Sequence, residues 1–118
     1  MNAGLRLERR GDVLLAYVSG EIDMANADPL SSRLLQEISN EQRGVVIDAS
    51  ALSYIDSAGV RVLIELAHSL TARRQRLAVV TAPRGPVAQI LRVVSFEELA
   101  PVTGSIDQAL NALQATGA

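Results

Sequence analysis

The segment VVIDASALSYIDSAGV, residues 45–60, predicts a buried strand that leads through a polar loop into a helix. Its first three residues are apolar and β-branched, which is typical of a short central strand buried on both faces. Ser57 falls where the helix should begin, and the first backbone N–H groups of a helix have no partner within it. A hydroxyl in this position could cap the helix, and it could also be reached by another protein.

Ser57 therefore has two interpretations. Serine is a strongly preferred N-cap, so a structural role alone would account for it. Asp56 would cap equally well, however, and Gly59 lies in the expected first turn, where glycine costs about 1 kcal/mol relative to alanine. A glycine there is expected if a partner or a kinase must approach the backbone closely. A phosphate on Ser57 would in turn be favoured by the free N–H groups at the helix end.

The rest of the chain alternates strands with helices. The clearest ranges are residues 5–9 and 13–19 for an initial hairpin, about 58–73 for the second helix, and 77–80 and near 99–102 for two later strands. This order predicts an α/β fold with a mixed, mostly parallel sheet of four to five strands and about four helices. The length of 118 residues favours a single domain, residues 1–118.

The sequence leaves two local details open. Asn26 or Asp28 could cap the first helix, and Pro29 suits the first helical position after Asp28. Val62 and Leu66 flank the apolar face of the second helix, where each could belong to the core or to a contact surface.

The composition excludes several classes of protein. The chain has no cysteine and one histidine, His68, so disulfides, thiolate metal sites and imidazole clusters are ruled out. Its net charge of −2 and the lack of a basic run argue against direct nucleic-acid binding. No apolar stretch approaches the roughly 20 residues of a membrane span, and residues 1–6 lack an apolar signal region. We therefore expect a cytoplasmic protein without a cofactor.

The sequence offers no catalytic arrangement. Asp48 ends the predicted central strand, where the phosphate-accepting aspartate lies in response-regulator receivers, but the acidic pair and the lysine of a receiver are missing. The chain has no Gly-x-Ser-x-Gly turn, and His68 lies too far along the same helix to act as a base for Ser57. We expect Asp48 to brace the loop towards Tyr54 and His68 to be solvated. The protein should be a binding module rather than an enzyme.

Several motifs together resemble the STAS domain of bacterial anti-sigma-factor antagonists. VVID followed by YIDSAG is similar to the family's central strand and its serine motif, and GEID at residues 20–23 is similar to the GELD that follows the family's second strand. Phe96 before an edge strand, and then an Ala/Leu-rich helix, match the family's C-terminal end. The resemblance covers almost the whole chain and implies the STAS fold. Ala58 and Ser95 depart from it, because many members have serine and glycine there.

The resemblance implies a function for Ser57. In the family, the unmodified protein binds an anti-sigma factor, which then releases its sigma factor. The anti-sigma factor is also a serine kinase that uses ATP, and phosphorylation at the position of Ser57 switches binding off until a phosphatase removes the group. The added charge, about −1.5 to −2, is a sufficient reason for release. The positions expected to contact the partner surround the motif: Glu21, Asp23, Tyr54, Ile55, Asp56, Ala58, Gly59 and Arg61.

The resemblance also permits an alternative function. STAS domains serve as scaffold or regulatory subunits without a switch, in stress-sensing complexes or beside membrane transporters. This alternative keeps the fold and abandons the phosphorylation of Ser57. The two differ in their partners, because only the first requires a kinase.

Overall fold

The computed structural model describes residues 3–115. In chain order its elements are β1 (Ala3–Arg10), β2 (Val13–Ile22), α1 (Ala27–Glu37), β3 (Gly44–Ile55), α2 (Ser57–Ala72), β4 (Arg76–Val80), α3 (Pro86–Val93), a 3-10 turn (Phe96–Glu98), β5 (Val102–Thr103) and α4 (Ile106–Ala115). The predicted α/β fold class is confirmed. Residues 1–2 and 116–118, the ends of the expected domain, lie outside the described part of the chain.

The strands form one sheet in the order β1-β2-β3-β4-β5. The first pair is antiparallel and the other three pairs are parallel, as expected for strands joined by helical crossovers. Because β2 and β3 run in the same direction, they end side by side, with Ile22 opposite Ile55. The segments that follow these two residues therefore meet at one edge of the sheet, and Ser57 belongs to one of them.

Helices cover the sheet on both faces. The larger apolar cluster joins one face to α1, α2, α3 and the fully buried Phe96. The smaller cluster joins the other face to α4 through Ala109 and Leu113. Val62 and Leu66 are 5% and 3% exposed and belong to the larger cluster. The question left open by the sequence is thus answered: both residues are core.

The central strand is longer than the sequence predicted. The sequence predicts a polar loop after Asp48, but the chain continues as β3 up to Ile55 because its pairing with β2 resumes after two register shifts. Such shifts let an extra residue turn outward without ending the strand. Asp48 therefore lies within the strand rather than at its end, and its Oδ1 accepts hydrogen bonds from Ser50 N at 3.0 Å and from Ser50 Oγ at 2.6 Å.

Candidate functional site

The N-terminus of α2 is capped by Asp56 and not by Ser57. The Asp56 carboxylate accepts hydrogen bonds from the backbone N–H groups of Ala58 at 2.9 Å and Gly59 at 3.1 Å. Ser57 is the first residue of the helix and is exposed, and within residues 3–115 its hydroxyl forms no hydrogen bond. The capping role considered for Ser57 is therefore wrong, since its neighbour already occupies those donors. Within the described residues, the Ser57 hydroxyl therefore makes no hydrogen bond that would stabilise the fold.

Gly59 is required by the packing of the chain itself. It is buried, and a Cβ atom there would lie 2.5 Å from Ile55 Cγ1 and 2.9 Å from Ile22 Cγ2. The close approach inferred from the sequence is real, but the approaching atoms belong to the ends of β2 and β3 rather than to a partner. Ile55, which is 1% exposed, supports the helix in the same way. Both residues are buried in the chain itself, and their predicted contact with a partner stays a prediction.

The turn of residues 21–26 lies beside this helix end. The Ile22 carbonyl accepts a hydrogen bond from Asp56 N at 3.1 Å, which ties the turn to the start of α2. Asp23 Oδ1 accepts from Ala25 N at 2.9 Å. The Asn26 side chain accepts from Asp23 N at 3.0 Å and donates to the Glu21 carbonyl at 2.9 Å. Asn26 occupies the N-cap position of α1, but its side chain closes this turn and makes no cap hydrogen bond.

The turn exposes an apolar side chain that the sequence analysis missed. Met24 is 83% exposed at the tip of the turn, where its burial would have been the ordinary expectation for so apolar a residue. Tyr54 is 45% exposed and lies opposite Glu21 in the register of β2 and β3. The only sequence signal for Met24 was an apolar residue inside a predicted polar loop. The two side chains give this edge of the sheet an apolar surface.

A groove between α2 and α3 begins at Ser57. Its volume is about 590 Å³, and its lining is mostly apolar: Ile55, Asp56, Ser57, Val60, Arg61, Ile64, Glu65, Ile90 and Val94. Val93 and Val94, at the end of α3, are 83% and 43% exposed. We call this groove, the turn of residues 21–26, Tyr54 and Ser57 together the Ser57 surface. Its shape and apolar content are those of a site for another protein's side chains.

Arg61 lies one turn beyond Ser57 and bridges two helices. Its Nη2 donates to Asp28 Oδ1 of α1 at 3.0 Å, and its Nη1 donates to Glu65 Oε1 of α2 at 3.0 Å. The hydrogen bond to Asp28, and then that to Glu65, raises the pKa of the Arg61 guanidinium above its ordinary value. The predicted partner-contact residue is thus engaged within the chain, at the side of the Ser57 surface.

The charge of the Ser57 surface is acidic. The carboxylates on it and on the Arg61 bridge are those of Glu21, Asp23, Asp28, Asp56 and Glu65. Among the residues that line the groove, Arg61 is the single cation. Such a surface favours a basic partner and speeds its association.

A metal or catalytic site beside Ser57 would need side chains that could bind a metal ion or act as a base. In residues 3–115 no group of three or more histidine, cysteine, aspartate or glutamate side chains is placed to hold a metal ion. His68 is exposed on α2, eleven residues after Ser57, which is about 16 Å along a helix. Within residues 3–115, none of the helices has the length and apolar content that a membrane span requires.

Known proteins of similar sequence and fold carry related names. Residues 5–109 match the family model described as the STAS domain. BtrV of Bordetella bronchiseptica, named as a candidate anti-sigma factor antagonist, is 29% identical over 110 residues, which cover 93% of this chain and 94% of BtrV. The crystal structure of an anti-sigma factor antagonist from Mycobacterium paratuberculosis is similar with a TM-score of 0.85 and 26% identity, covering 96% of this chain and 95% of the other. The phosphorylated form of the Bacillus cell fate determinant SpoIIAA is similar in fold alone, with a TM-score of 0.69 and 15% identity over 92% of this chain and 97% of its own.

Proposed function

Because this chain belongs to the STAS domain family, we propose that it is an anti-sigma factor antagonist whose binding is switched off by phosphorylation of Ser57. In this role it binds an anti-sigma factor that is also a serine kinase, and the sigma factor is released. The observation that carries the proposal is the Ser57 hydroxyl, which is exposed, forms no hydrogen bond within residues 3–115, and lies where the apolar groove begins. The names of the relatives from Bordetella and Mycobacterium support the assignment.

The Ser57 surface supplies the two components of a protein-binding site. Met24, Tyr54 and the α2–α3 groove offer apolar area to bury, and buried apolar anchors supply most of the binding energy of an interface. Glu21 and Asp23 lie at its side and are half-buried. Charges at a rim mainly set the rate of association and its specificity. The proposed partner therefore presents apolar side chains ringed by basic residues.

Phosphorylation would alter the centre of this surface. The Ser57 oxygen forms a bond to the γ-phosphorus of ATP, the bond from that phosphorus to the bridging oxygen of ADP breaks, and the hydroxyl proton passes to a base of the kinase. The product carries about −1.5 to −2 additional charges on a surface that is already acidic. A binding penalty of about 4 kcal/mol would weaken affinity roughly a thousandfold. A phosphatase would restore the hydroxyl by hydrolysis.

The proposal has a direct test with an anti-sigma factor of the same organism and ATP. Intact mass spectrometry should show one added phosphate on the wild-type protein and none on Ser57→Ala. Ser53→Ala is a matched control, because Ser53 is also exposed and its hydroxyl donates only to the Gly20 carbonyl at 3.1 Å. A phosphate on Ser57→Ala, or equal binding of the two forms in a titration, would refute the switch. Binding without modification would instead favour the scaffold role.

The proposed function also implies where the protein acts in the cell and that it acts by binding. Sigma factors act on RNA polymerase, so an antagonist in this pathway works in the cytoplasm. Its activity is to occupy a partner and to be modified by it, and no chemistry is assigned to this chain itself.

A further inference from the structure

Ser57 and Arg61 occupy neighbouring positions on the surface of α2. They are four residues apart, and side chains at that spacing have their Cβ atoms about 5–6 Å from each other. Both line the α2–α3 groove. The long side chain of Arg61 already reaches across to α1, where it meets Asp28. A phosphate on the Ser57 oxygen would therefore lie within reach of the same guanidinium.

Three backbone N–H groups that could hold a phosphate at this helix end are already in use. Phosphates at such ends are held by backbone N–H groups of the first turn. In this protein the N–H groups of Ala58 and Gly59 donate to the Asp56 carboxylate, and that of Val60 donates to the Asp56 carbonyl. The neighbouring carboxylate also repels a second anion. A cation is therefore the stronger partner for a phosphate on Ser57, and in the groove that cation is Arg61.

We propose that a phosphate on Ser57 draws Arg61 away from Asp28, so that Arg61 is the residue that senses the modification. The inference rests on the proposed function in one respect, which is that Ser57 is the phosphorylated residue. A phosphoserine near pH 7 carries almost two charges and three acceptor oxygens, so it competes well with a single carboxylate for a guanidinium. Asp28 is the partner that gives way, because its side chain is 76% exposed and it lies on another helix. Glu65 keeps the second arm of the guanidinium, one turn further along α2.

The exchange would connect the phosphate to the rest of the Ser57 surface. Within residues 3–115, the pair of Arg61 and Asp28 is the one ion pair that joins α1 to α2. Asp28 is the second residue of α1 and follows the turn that carries Asp23 and Met24. Release of Asp28 leaves one more carboxylate unpaired. It also removes the ion pair that joins the start of α1, next to that turn, to α2. Phosphorylation would thus change the partner-binding surface at two places.

The test uses protein in which phosphoserine is inserted at position 57 during translation, so that no kinase is needed. A phosphorus NMR titration gives the second pKa of the phosphate, ordinarily about 6. A nearby cation favours the dianion and lowers that pKa. We expect the pKa to be lower in the parent than in Arg61→Gln by about half a unit, a threefold change in proton affinity. Arg61→Lys should fall between them.

Two further variants separate the exchange from a general effect of charge. Arg76→Gln removes the same charge at the start of β4, the opposite end of the parallel strands, and should leave the phosphate pKa at the parent value. Asp28→Asn removes the competitor and should lower the pKa by more when Arg61 is present than in Arg61→Gln, where only the direct repulsion between Asp28 and the phosphate is lost. Arg61→Gln and Asp28→Asn therefore form a double-mutant cycle, and the sign of their coupling is predicted. Circular dichroism and thermal unfolding confirm that each variant is folded.

The possible failures are distinguishable. An equal phosphate pKa in the parent and in Arg61→Gln, or an effect of Asp28→Asn that is equally large in both backgrounds, overturns the role of Arg61 and leaves the switch intact. An anti-sigma factor that binds the phosphoserine protein as tightly as the unmodified protein overturns the proposed function and leaves the pKa result standing.

Discussion

Replacement of Gly59 by alanine tests why a glycine lies in the first turn of α2. Alanine would stabilise a helix by about 1 kcal/mol relative to glycine if nothing else changed. Its Cβ atom, however, would lie 2.5 Å from Ile55 Cγ1 and 2.9 Å from Ile22 Cγ2. These atoms are next to the Cβ of stiff, β-branched side chains that are 1% and 3% exposed, so they cannot turn away. Overpacking of this kind costs up to about 3 kcal/mol.

The two effects leave a net loss of about 2 kcal/mol in the free energy of unfolding. For a chain of this length we expect Tm to fall by about 8 °C. Urea and thermal unfolding of Gly59→Ala measure this directly. Ala58→Gly, one residue away, should cost at least the helix-propensity difference of about 1 kcal/mol, since Ala58 also packs against the larger apolar cluster. In an Ile55→Ala background, where the clashing Cγ1 is gone, Gly59→Ala should cost at least about 1 kcal/mol less.

A stabilised Gly59→Ala protein would refute the packing argument. That outcome would mean that α2 moves freely away from the ends of β2 and β3. If the stabilised variant also failed to bind the anti-sigma factor, the glycine would serve the approach of a partner, as the sequence first suggested. Stability and binding are therefore measured on the same samples.

Three further predictions concern single side chains around Ser57. Asp56→Ala removes the cap of α2 and should lower the free energy of unfolding by about 1 kcal/mol; an unchanged midpoint in urea would contradict the capping role. Met24→Ser should leave Tm within about 1 °C, since surface changes are usually small, yet weaken binding to the anti-sigma factor at least about tenfold if Met24 is a buried anchor. Glu21→Gln should slow association a few-fold at low salt and change dissociation little, and a stopped-flow series in salt that shows no such loss would remove Glu21 from the interface.

The fold could be predicted because its signals are local and repeated. The run of residues 45–47 indicates a buried strand, and the helices after it show apolar residues at helical spacing. The extension of β3 could not be predicted from the same signals. Ser50 and Ser53 look like loop residues, but in the structure they are exposed positions of a strand, and the pairing that keeps them in the strand comes from β2. Such support from a distant segment is invisible in a local window.

The sequence predicts that Ser57 lies at the start of a helix, as the structure has it, but it does not predict what the residues around Ser57 do. Asp56 and Ser57 are equally good caps by type, and the choice is made by a hydrogen bond from Asp56 N to the Ile22 carbonyl at 3.1 Å. That contact holds Asp56 in the extended conformation an N-cap needs. The exposure of Met24 and the reach of Arg61 to Asp28 also depend on which segments meet in space. The sequence alone therefore predicts where the serine lies in the fold, but it does not predict the structural roles of the residues around it.

The division of roles between Asp56 and Ser57 bears on how a switch at this site would work. If a serine capped the helix, its phosphorylation would weaken or strengthen that cap. In either case the stability of α2 would change with the modification. Here the cap is a permanent carboxylate, so the helix end is already neutralised. A phosphate beside it gains little from the helix dipole and is repelled by Asp56. Phosphorylation should therefore change the stability of the fold little. We expect it to act on Arg61 within the chain and on the partner protein.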